Sequence, residues 1–433
     1  MRCFPRQYKM WASHYDSRLS MASATLRVGF WGSLKPDNVT RSERKRRSTC
    51  YLLIRGPRKM FTNAEGTLHL SPFVFITCQY QTENLIKGWM QSSVPQAKFA
   101  FSRPGLLTFK IEGQTMVAAE ALPRCPFIRS FGWSGEMISG TLDEVAPKLE
   151  TYRKQHRAGY LHVWERDSKR VGDRGFEPFA KPEWEAWGAK LLELGGPDWA
   201  GVAVNRSVPS GEKVLDLIQV DPDRWLLGFH VAASTASSWV GGAPPVISAK
   251  VISRAYYKIK EAMLWSELPV QSGQHALELG AAPGGACQYM LEQGLQVVGV
   301  DPAEMSPEIL SHPKFEHWRM RASDIRKRRL GRVDWLVCDS NVAPQHTLDT
   351  VEGITTNQHV QCRGLILTLK MPDWKLAEHL PNYLQRVKSW GFPFVTSRHL
   401  AFNRQEICVV ASKTLALLWG RVFGSTVGRG GRR

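Results

Sequence analysis

The sequence predicts an α/β fold in its C-terminal half, built on a mostly parallel, doubly wound sheet. Three features of residues 274–301 support this fold class. The apolar run 276–279 ends at Gly280, the pair Gly284–Gly285 opens a helical pattern, and a second apolar run, 297–300, ends at Asp301. Strand, glycine turn, helix, strand and acid, in this order, begin a nucleotide-binding sheet.

The alternation of strands and helices continues after Asp301. Apolar runs predict strands at residues 315–320, 333–339 and 364–370, a helix at 373–390, and two final strands at 392–400 and 404–412. We expect the last two strands to form an antiparallel pair. A parallel sheet closed by such a hairpin is the architecture of class I (Rossmann-like) methyltransferases.

A helix is predicted just before the first strand of this sheet, from an N-cap at Ser248 through Trp265. Apolar residues recur every fourth position from Val251 and form a core stripe. Arg254, Lys258 and Glu261 form the adjacent stripe. Because this helix leads into the sheet, its polar stripe can face a ligand cleft.

The sequence of the N-terminal half predicts two small α+β units, at about 72–140 and 141–237. The first has a strand, a helix and two strands; the second has helices at 142–156 and 182–195 with strands at 160–167, 213–220 and 224–232. Residues 236–245 have the composition of a linker. The second unit can be a packing domain or an RNA-binding module, and the sequence favours neither.

The two ends of the chain differ from the rest. Residues 1–70 are basic, lack a sustained period, and are expected to have little order. They could contact RNA, serve as a targeting segment, or reflect an over-extended reading frame, since Met21 and Met60 are internal starts; the last is favoured. Residues 413–433 form a Gly/Arg-rich tail.

Charge and cysteine usage indicate the partner and the compartment. Lys and Arg exceed Asp and Glu by 57 to 39 in 433 residues, a formal net charge of +18. This excess predicts an anionic partner, RNA first, although basic tails inflate it. The eight cysteines are scattered without a paired motif, so neither a disulfide framework nor a metal site is expected. We expect a cytoplasmic monomer that does not bind membranes.

The glycine turn indicates which cofactor fits. A dinucleotide site needs a run of backbone N–H groups for the pyrophosphate, but Pro283 follows Gly280, Ala281 and Ala282 and has no N–H to offer. Tight glycines without a phosphate cradle favour a nucleoside that carries an amino acid, namely S-adenosyl-L-methionine. Asp301, about twenty residues past the first glycine, is the candidate for the ribose hydroxyls.

Polar residues at strand ends are the catalytic candidates, because ligands of open α/β sheets bind beyond the carboxyl ends of the strands. Asp339 and Lys370 end two apolar strands, and Glu406 begins the last one. With Lys258 they form a Lys, Asp, Lys, Glu set. This set suits proton removal from a ribose 2'-hydroxyl that attacks a sulfonium methyl group, with Lys370 as the base. Lys258 would lower the pKa of Lys370 and the two acids would raise it.

Five segments resemble the successive motifs of the FtsJ-type RNA 2'-O-ribose methyltransferases. They are SRAYYK (253–258), LELGAAPGG (277–285), VCDSNVAP (337–344), LTLKMP (367–372) and NRQEICVVA (403–411). The resemblance implies a catalytic tetrad and a site for S-adenosyl-L-methionine. The tetrad falls on Lys258, Asp339, Lys370 and Glu406, and the cofactor site on Glu278, Gly280, Pro283, Gly284, Gly285, Asp301 and Asp324.

The resemblance also carries expectations for the rest of the chain. It implies that the two N-terminal units are ferredoxin-like and THUMP-like, and that the substrate is 23S rRNA or a ribosomal assembly intermediate. Glu278 and Ala286 depart from the family, which commonly has Asp and Trp there. A different RNA substrate, or an RNA-binding or ribosome-assembly factor without activity, remains an alternative.

Overall fold

The structure is a computed structural model that describes residues 62–63, 66–67, 71–112, 122–176, 181–245 and 250–414. Most of the predicted N-terminal extension and of the Gly/Arg-rich tail lies outside these residues. Thr62–Asn63 and Gly66–Thr67 pair as a two-residue hairpin. Among the described helices, none is both long and apolar enough to cross a bilayer.

In the described part of the N-terminal half, one eight-stranded sheet packs with three α-helices. The elements are β1 (Phe73–Cys78), α1 (Glu83–Ser93), β2 (Ala97–Arg103), β3 (Leu106–Ile111), β4 (Ile128–Ser139), α2 (Leu142–His156), β5 (Tyr160–Glu165), α3 (Pro182–Gly195), β6 (Ala203–Val204), β7 (Lys213–Asp221) and β8 (Arg224–Val231). The order of the strands is β2-β3-β1-β4-β8-β7-β5-β6, so strands of both predicted units hydrogen-bond into a single sheet.

Strand β4, at the centre of this sheet, was not predicted from the sequence. Its run contains Gly132 and Gly135, which weaken a strand pattern. Gly132 is required because a side chain there would overlap the ring of Phe75, which is fully buried. Gly132 therefore weakens the strand pattern in the sequence, but in the fold its lack of a side chain makes room for the ring of Phe75.

The C-terminal half forms a seven-stranded sheet with the predicted α/β architecture. The elements are α4 (Ala255–Ser266), β9 (His275–Leu279), α5 (Gly285–Glu292), β10 (Gln296–Val300), α6 (Pro307–Leu310), β11 (Phe315–Trp318), β12 (Arg332–Cys338), α7 (Pro344–Thr355), β13 (Gln361–Lys370), α8 (Leu380–Ser389), β14 (Phe394–Arg398) and β15 (Glu406–Ser412). The order of the strands in the sheet is β11-β10-β9-β12-β13-β15-β14. The first five strands in this order run parallel, and β15 is antiparallel to both of its neighbours.

Both faces of this sheet are buried, as expected for parallel strands. On one face Leu277, Leu336 and Leu367 belong to the same core cluster as the apolar residues of α7 and α8. On the other face Ala276 and Val337 pack with α4 and α5. The alternation of side chains along each strand supplies both cores from one apolar run.

Two helix predictions need correction, and one helix was not predicted. The helix expected from Ser248 begins only at Ala255, because the segment before it is held differently: Ile252 N donates to Gln288 Oε1 at 3.1 Å, and Gln288 Nε2 donates to Lys250 O at 3.1 Å. Ser248 itself lies outside the described residues.

The predicted helix at 373–390 is a 3₁₀ segment, Trp374–His379, followed by α8. Pro381 near the start of α8 cannot donate the hydrogen bond that would continue one helix across this point. Helix α7 was missed altogether, although Pro344 at its first position and the spacing of Leu348, Val351 and Ile354 are helical signals.

The two halves meet at residues 398–405, the loop that leads into β15. Gln79 Nε2 donates to Asn403 O at 2.7 Å, and His399 N donates to Pro126 O at 2.8 Å. Arg398 Nη2 donates to Gly242 O at 2.8 Å, so the predicted linker is packed against the C-terminal half. The N-terminal half therefore fixes the loop that places Glu406 at the start of its strand.

Arg398→Met should lower the free energy of unfolding by about 3 kcal/mol or more, because it leaves the buried carboxyl of Glu261 without its cation. Arg398 Nε lies 3.6 Å from Glu261 Oε1, and both residues are buried. Adding Glu261→Gln should recover part of the loss in denaturant melts. Arg319→Met, which breaks an exposed pair with Glu304, should cost less than about 1 kcal/mol. Equal losses in the two arginine variants would contradict the role of this contact.

Candidate active site

The candidate site lies at the carboxyl edge of the parallel strands. Asp339 follows β12, and Lys370 ends β13. Because β15 runs antiparallel to β13, its first residue reaches the same edge, and Glu406 is the direct cross-strand partner of Lys370. Lys258 reaches this edge from α4, where it is one of the buried residues. Four predicted residues from distant segments therefore converge.

The four side chains form a closed ring of alternating charges. Lys258 Nζ lies 2.5 Å from Asp339 Oδ2 and 2.9 Å from Glu406 Oε1. Lys370 Nζ lies 3.1 Å from Asp339 Oδ1 and 2.5 Å from Glu406 Oε2. Each ammonium bridges both carboxylates, and each carboxylate uses one oxygen per lysine. The formal charge of the ring is zero.

Burial strengthens these ion pairs because water screens them less. It also disfavours the charged form of each of the four side chains. The exposed fraction of the four side chains lies between 9% and 21%. Burial alone would raise the pKa of Asp339 and of Glu406, but the two ammonium groups prevail and lower both. Burial would likewise lower the pKa of Lys370, but Asp339 and Glu406 prevail and raise it. The opposing effects that the sequence left open thus favour the protonated amine in the free protein.

The residues of the polar stripe predicted on α4 have different roles in the structure. Lys258 joins the ring, whereas Glu261 points into the protein and accepts a hydrogen bond from Ala401 N at 2.7 Å. That bond anchors the loop before β15. Asn403 in the same loop is fully buried, and its Nδ2 donates to Glu406 O at 3.1 Å. Sequence reasoning did not single out Asn403, whose only signal was its place three residues before Glu406.

The glycine turn after β9 is approached closely by its surroundings. A Cβ at Gly280 would lie 3.0 Å from Ser340 Oγ and 3.1 Å from Asp339 O, so only glycine lets the loops after β9 and β12 come so near. Gly284 has a φ of +116°, which favours glycine. A Cβ at Gly285 would overlap Ser253 Oγ. The turn is therefore shaped by close contacts with Asp339 and Ser340 after β12 and with Ser253 before α4.

Two further predicted acids line this edge. Asp301 follows β10; its Oδ2 accepts from Ala282 N at 3.2 Å and its Oδ1 from Ala303 N at 2.8 Å. Glu278 on β9 is buried, and the Cys287 thiol donates to its Oε2 at 2.8 Å. Burial raises the pKa of Glu278 to about 8, with the charges of Asp339 and Asp301 adding to the rise. The charges of Asp339 and Asp301 therefore both act on the carboxyl group of Glu278.

Two predicted cofactor residues lie farther out on the same edge. Pro283 is exposed, and its carbonyl accepts a hydrogen bond from Ser306 N at 2.9 Å. Asp324 is exposed on a 3₁₀ turn after β11, where its Oδ1 accepts from Ser323 Oγ at 2.9 Å. The contacts of the described residues do not link Asp324 to the ring or to the glycine turn, so its role stays a prediction.

Comparison with known proteins confirms the predicted resemblance. Residues 251–380 match the sequence profile of the family described as FtsJ-like methyltransferase. A protein of Xylella fastidiosa (strain 9a5c) named ribosomal RNA large subunit methyltransferase M is 30% identical over 202 residues, covering 43% of this chain and 56% of that protein. The chain thus spans little more than half of the length of this relative.

A longer match extends into the N-terminal half. The protein of the same name from Marinobacter nauticus is 27% identical over 350 residues, covering 73% of this chain and 92% of that protein. Among solved structures, TrmN from Thermus thermophilus covers 78% of this chain and 99% of its own, at 12% identity and a TM-score of 0.30. The similarity to known proteins therefore rests on the sequence matches, because the structural overlap with TrmN is too low to support it.

Glu278→Gln should leave stability unchanged near pH 4 and raise it near pH 9. The folded-state pKa of Glu278 is about 8, above its ordinary value of 4.5, so the folded protein binds the proton more tightly. The neutral carboxyl of Glu278 therefore does not reduce the free energy of unfolding at low pH, but this free energy falls as pH rises from about 4.5 to about 8. The glutamine variant cannot ionise at this position, so its free energy of unfolding does not fall for this reason. Thermal melts at both pH values would contradict the account if the two proteins lost stability equally.

Proposed function

We propose that this chain, whose residues 251–380 match the FtsJ-like methyltransferases, transfers a methyl group from S-adenosyl-L-methionine to a ribose 2'-hydroxyl of large-subunit ribosomal RNA. The observation that carries the proposal is the closed ring of Lys258, Asp339, Lys370 and Glu406. The names of the Xylella and Marinobacter relatives support ribosomal RNA as the substrate. The net charge of +18 suits an RNA partner.

The residues at the glycine turn fit this cofactor. The turn has no phosphate cradle, because Pro283 lacks an N–H group. Asp301 lies beside this turn, where it accepts hydrogen bonds from Ala282 N and Ala303 N, and a carboxylate there favours a ribose hydroxyl over a polyphosphate. Asp301 would accept hydrogen bonds from the ribose of the adenosine, and Glu278 would take its amino group. When bound, S-adenosyl-L-methionine supplies an electrophilic methyl group.

The ring would hold the ribose hydroxyl and remove its proton. A 2'-hydroxyl is a very weak acid, so a base must take its proton as the new O–C bond forms. Lys370 is the base in this proposal, because it is the more exposed of the two ring lysines and can reach a substrate. Asp339 and Glu406 orient its amine. Lys258 keeps both carboxylates ionised, which fixes the geometry before the RNA arrives.

The base must lose a proton before it can act. The pKa of Lys370 is raised in the free protein because Asp339 and Glu406 outweigh the effect of burial. Only a small fraction of the amine is then neutral at pH 7. A cationic ligand beside the ring would favour loss of this proton, since it replaces part of the positive charge that the carboxylates require. Binding of the methyl donor and activation of the base are thereby coupled.

Lys370→Arg should reduce methyl transfer by at least about a thousandfold, because guanidinium keeps the charge but cannot act as a base. Lys370→Ala should lose activity to a similar extent, with little change in the Kd for S-adenosyl-L-methionine. The assay is tritiated methyl transfer to a 23S rRNA transcript, with calorimetry for the cofactor. Lys388→Ala, at an exposed lysine in the last turn of α8, is the matched control. A fully active Lys370→Arg enzyme would exclude this base.

The rate of the chemical step should rise with pH. Since the reactive amine is the minor form below its raised pKa, single-turnover rates should climb about tenfold per pH unit and level off only in the alkaline range. Rapid-quench measurements with saturating cofactor would check this. A rate that does not change between neutral and alkaline pH would contradict a lysine base, provided that the protein stays folded throughout.

The inactive alternative makes a different prediction. An RNA-binding or assembly factor without activity has no need to bind S-adenosyl-L-methionine. Calorimetric titration of the full chain with this cofactor therefore separates the two functions. Binding in the micromolar range supports the enzyme, and absence of binding supports the assembly factor.

A further inference from the structure

A cluster of three buried polar side chains lies in the N-terminal sheet and has no part in the ring. His162 on β5 is the direct cross-strand partner of Asp216 on β7. His230 on β8 is paired with Val214, two residues before Asp216, so all three side chains lie on the same face of the sheet. The exposed fraction is 0% for His162 and Asp216 and 3% for His230. The fold therefore brings together three side chains of metal-binding type from three neighbouring strands.

The surroundings of this cluster are apolar. Val214 and Ile218, two residues to either side of Asp216 along β7, are fully buried and belong to apolar clusters. Among the residues that the structure describes, no lysine or arginine forms an ion pair with Asp216, and its partner is His230. A carboxylate in such a place needs a positive charge beside it. Either a proton on His230 or a bound cation meets this need.

Both imidazole rings are oriented by the backbone in the same way. His162 Nε2 lies 3.0 Å from Arg206 O, and His230 Nε2 lies 2.8 Å from Ser237 O. Because a carbonyl oxygen can only accept, each Nε2 carries a proton and donates it. In a neutral ring Nδ1 is then the nitrogen with a free electron pair. Metal-binding histidines are commonly oriented by such a hydrogen bond from the other ring nitrogen to a backbone carbonyl.

Two polar atoms of the cluster are buried without a hydrogen-bond partner in the described part of the chain. They are His162 Nδ1 and Asp216 Oδ1. The other carboxylate oxygen, Asp216 Oδ2, lies 2.6 Å from His230 Nδ1. One potential ligand atom from each of the three residues lies within 4.8 Å of the other two. A buried nitrogen and a buried oxygen left unpaired cost free energy, and a shared cation would recover it.

We propose that His162, Asp216 and His230 bind a zinc ion that joins β5, β7 and β8. Two imidazole nitrogens and a carboxylate oxygen are ligands that zinc binds well, whereas calcium and magnesium prefer oxygen ligands alone. The ion would replace the proton between Asp216 and His230 and would bind Nδ1 of His162. A water molecule would complete a tetrahedral set. This inference is independent of the proposed function.

The ion would stabilise the sheet together with the segment that leads out of it. Ser237, whose carbonyl orients His230, lies in the predicted linker, residues 236–245. Just before this linker, Thr235 Oγ1 donates to a carboxylate oxygen of Glu267, the residue that follows α4. The free energy of metal binding would therefore add to the free energy of folding of the N-terminal half. The cysteine pattern predicted no metal site, and ligands from three separate strands form no short motif that the sequence could show.

The test measures the metal content of the untagged full chain, produced in cells grown with added zinc and dialysed against dilute EDTA. Mass spectrometry of the metal should find about one zinc ion per chain. His162→Leu and Asp216→Asn should each lower the affinity for zinc at least about a hundredfold, measured by competition with a chromophoric chelator. Protein from cells grown with cobalt in place of zinc should show the visible absorption of a four-coordinate ion. Circular dichroism and gel filtration establish that each variant is folded.

His156→Leu is the matched control. His156 is a buried histidine of the same half, on α2, and its ring stacks on Phe229 outside the cluster. This variant should keep the zinc content and the cobalt spectrum of wild type. Zinc should also raise the melting temperature of wild type and of His156→Leu relative to EDTA, but not that of the two cluster variants.

Three results would overturn the zinc site. A wild-type chain free of zinc after growth with the added metal would assign the cluster to a His230–Asp216 pair that shares a proton. Zinc retained by both cluster variants would place the ion elsewhere in the chain. Equal loss of zinc from His156→Leu and the cluster variants would show that general destabilisation, rather than loss of a ligand, releases the ion. None of these measurements depends on methyl transfer, so failure of the zinc site and failure of the proposed function are distinguishable.

Discussion

The constraint on which the C-terminal half depends is electrical neutrality at a buried sheet edge. Two lysines and two acids occupy a space where an unpaired charge would be costly, so each of the four needs the other three. Their ring ties α4, β12, β13 and β15 together within hydrogen-bonding distance. A chain selected only for stability could fill this edge with apolar side chains at no loss. Retention of four charges there fits a site kept for chemistry.

The N-terminal half contributes to the same edge from outside. It holds the loop before β15 through Gln79 and Pro126, and it places residues 168–176 against Arg404. Both halves thus contribute residues to this edge, whereas the ring belongs to the C-terminal half alone. The division of the N-terminal half into two units stays a prediction, and the eight strands described there form one sheet.

Much of the C-terminal half could be predicted because its signals are local and consistent with each other. Apolar runs that end in Asp339 and Lys370 specify both the strand and the residue at its end, and parallel strands bring such ends together. Contacts between distant segments could not be read in this way. The central strand β4 was hidden by Gly132, whose purpose appears only once Phe75 packs on it, and the partners of Arg398 lie in both halves. The direction of the pKa shift of Lys370 likewise could not be predicted from the sequence, because it depends on the distances from its amine to Asp339 and Glu406.

In the proposed function, the ring acts on a ribose hydroxyl. The most direct measurement is the chemical identity of the product: a 23S rRNA transcript is incubated with the full chain and labelled S-adenosyl-L-methionine, digested to nucleosides, and analysed by mass spectrometry. The account predicts a single 2'-O-methylated nucleoside that carries all the label. Label on a base, or no label in the RNA, would contradict it.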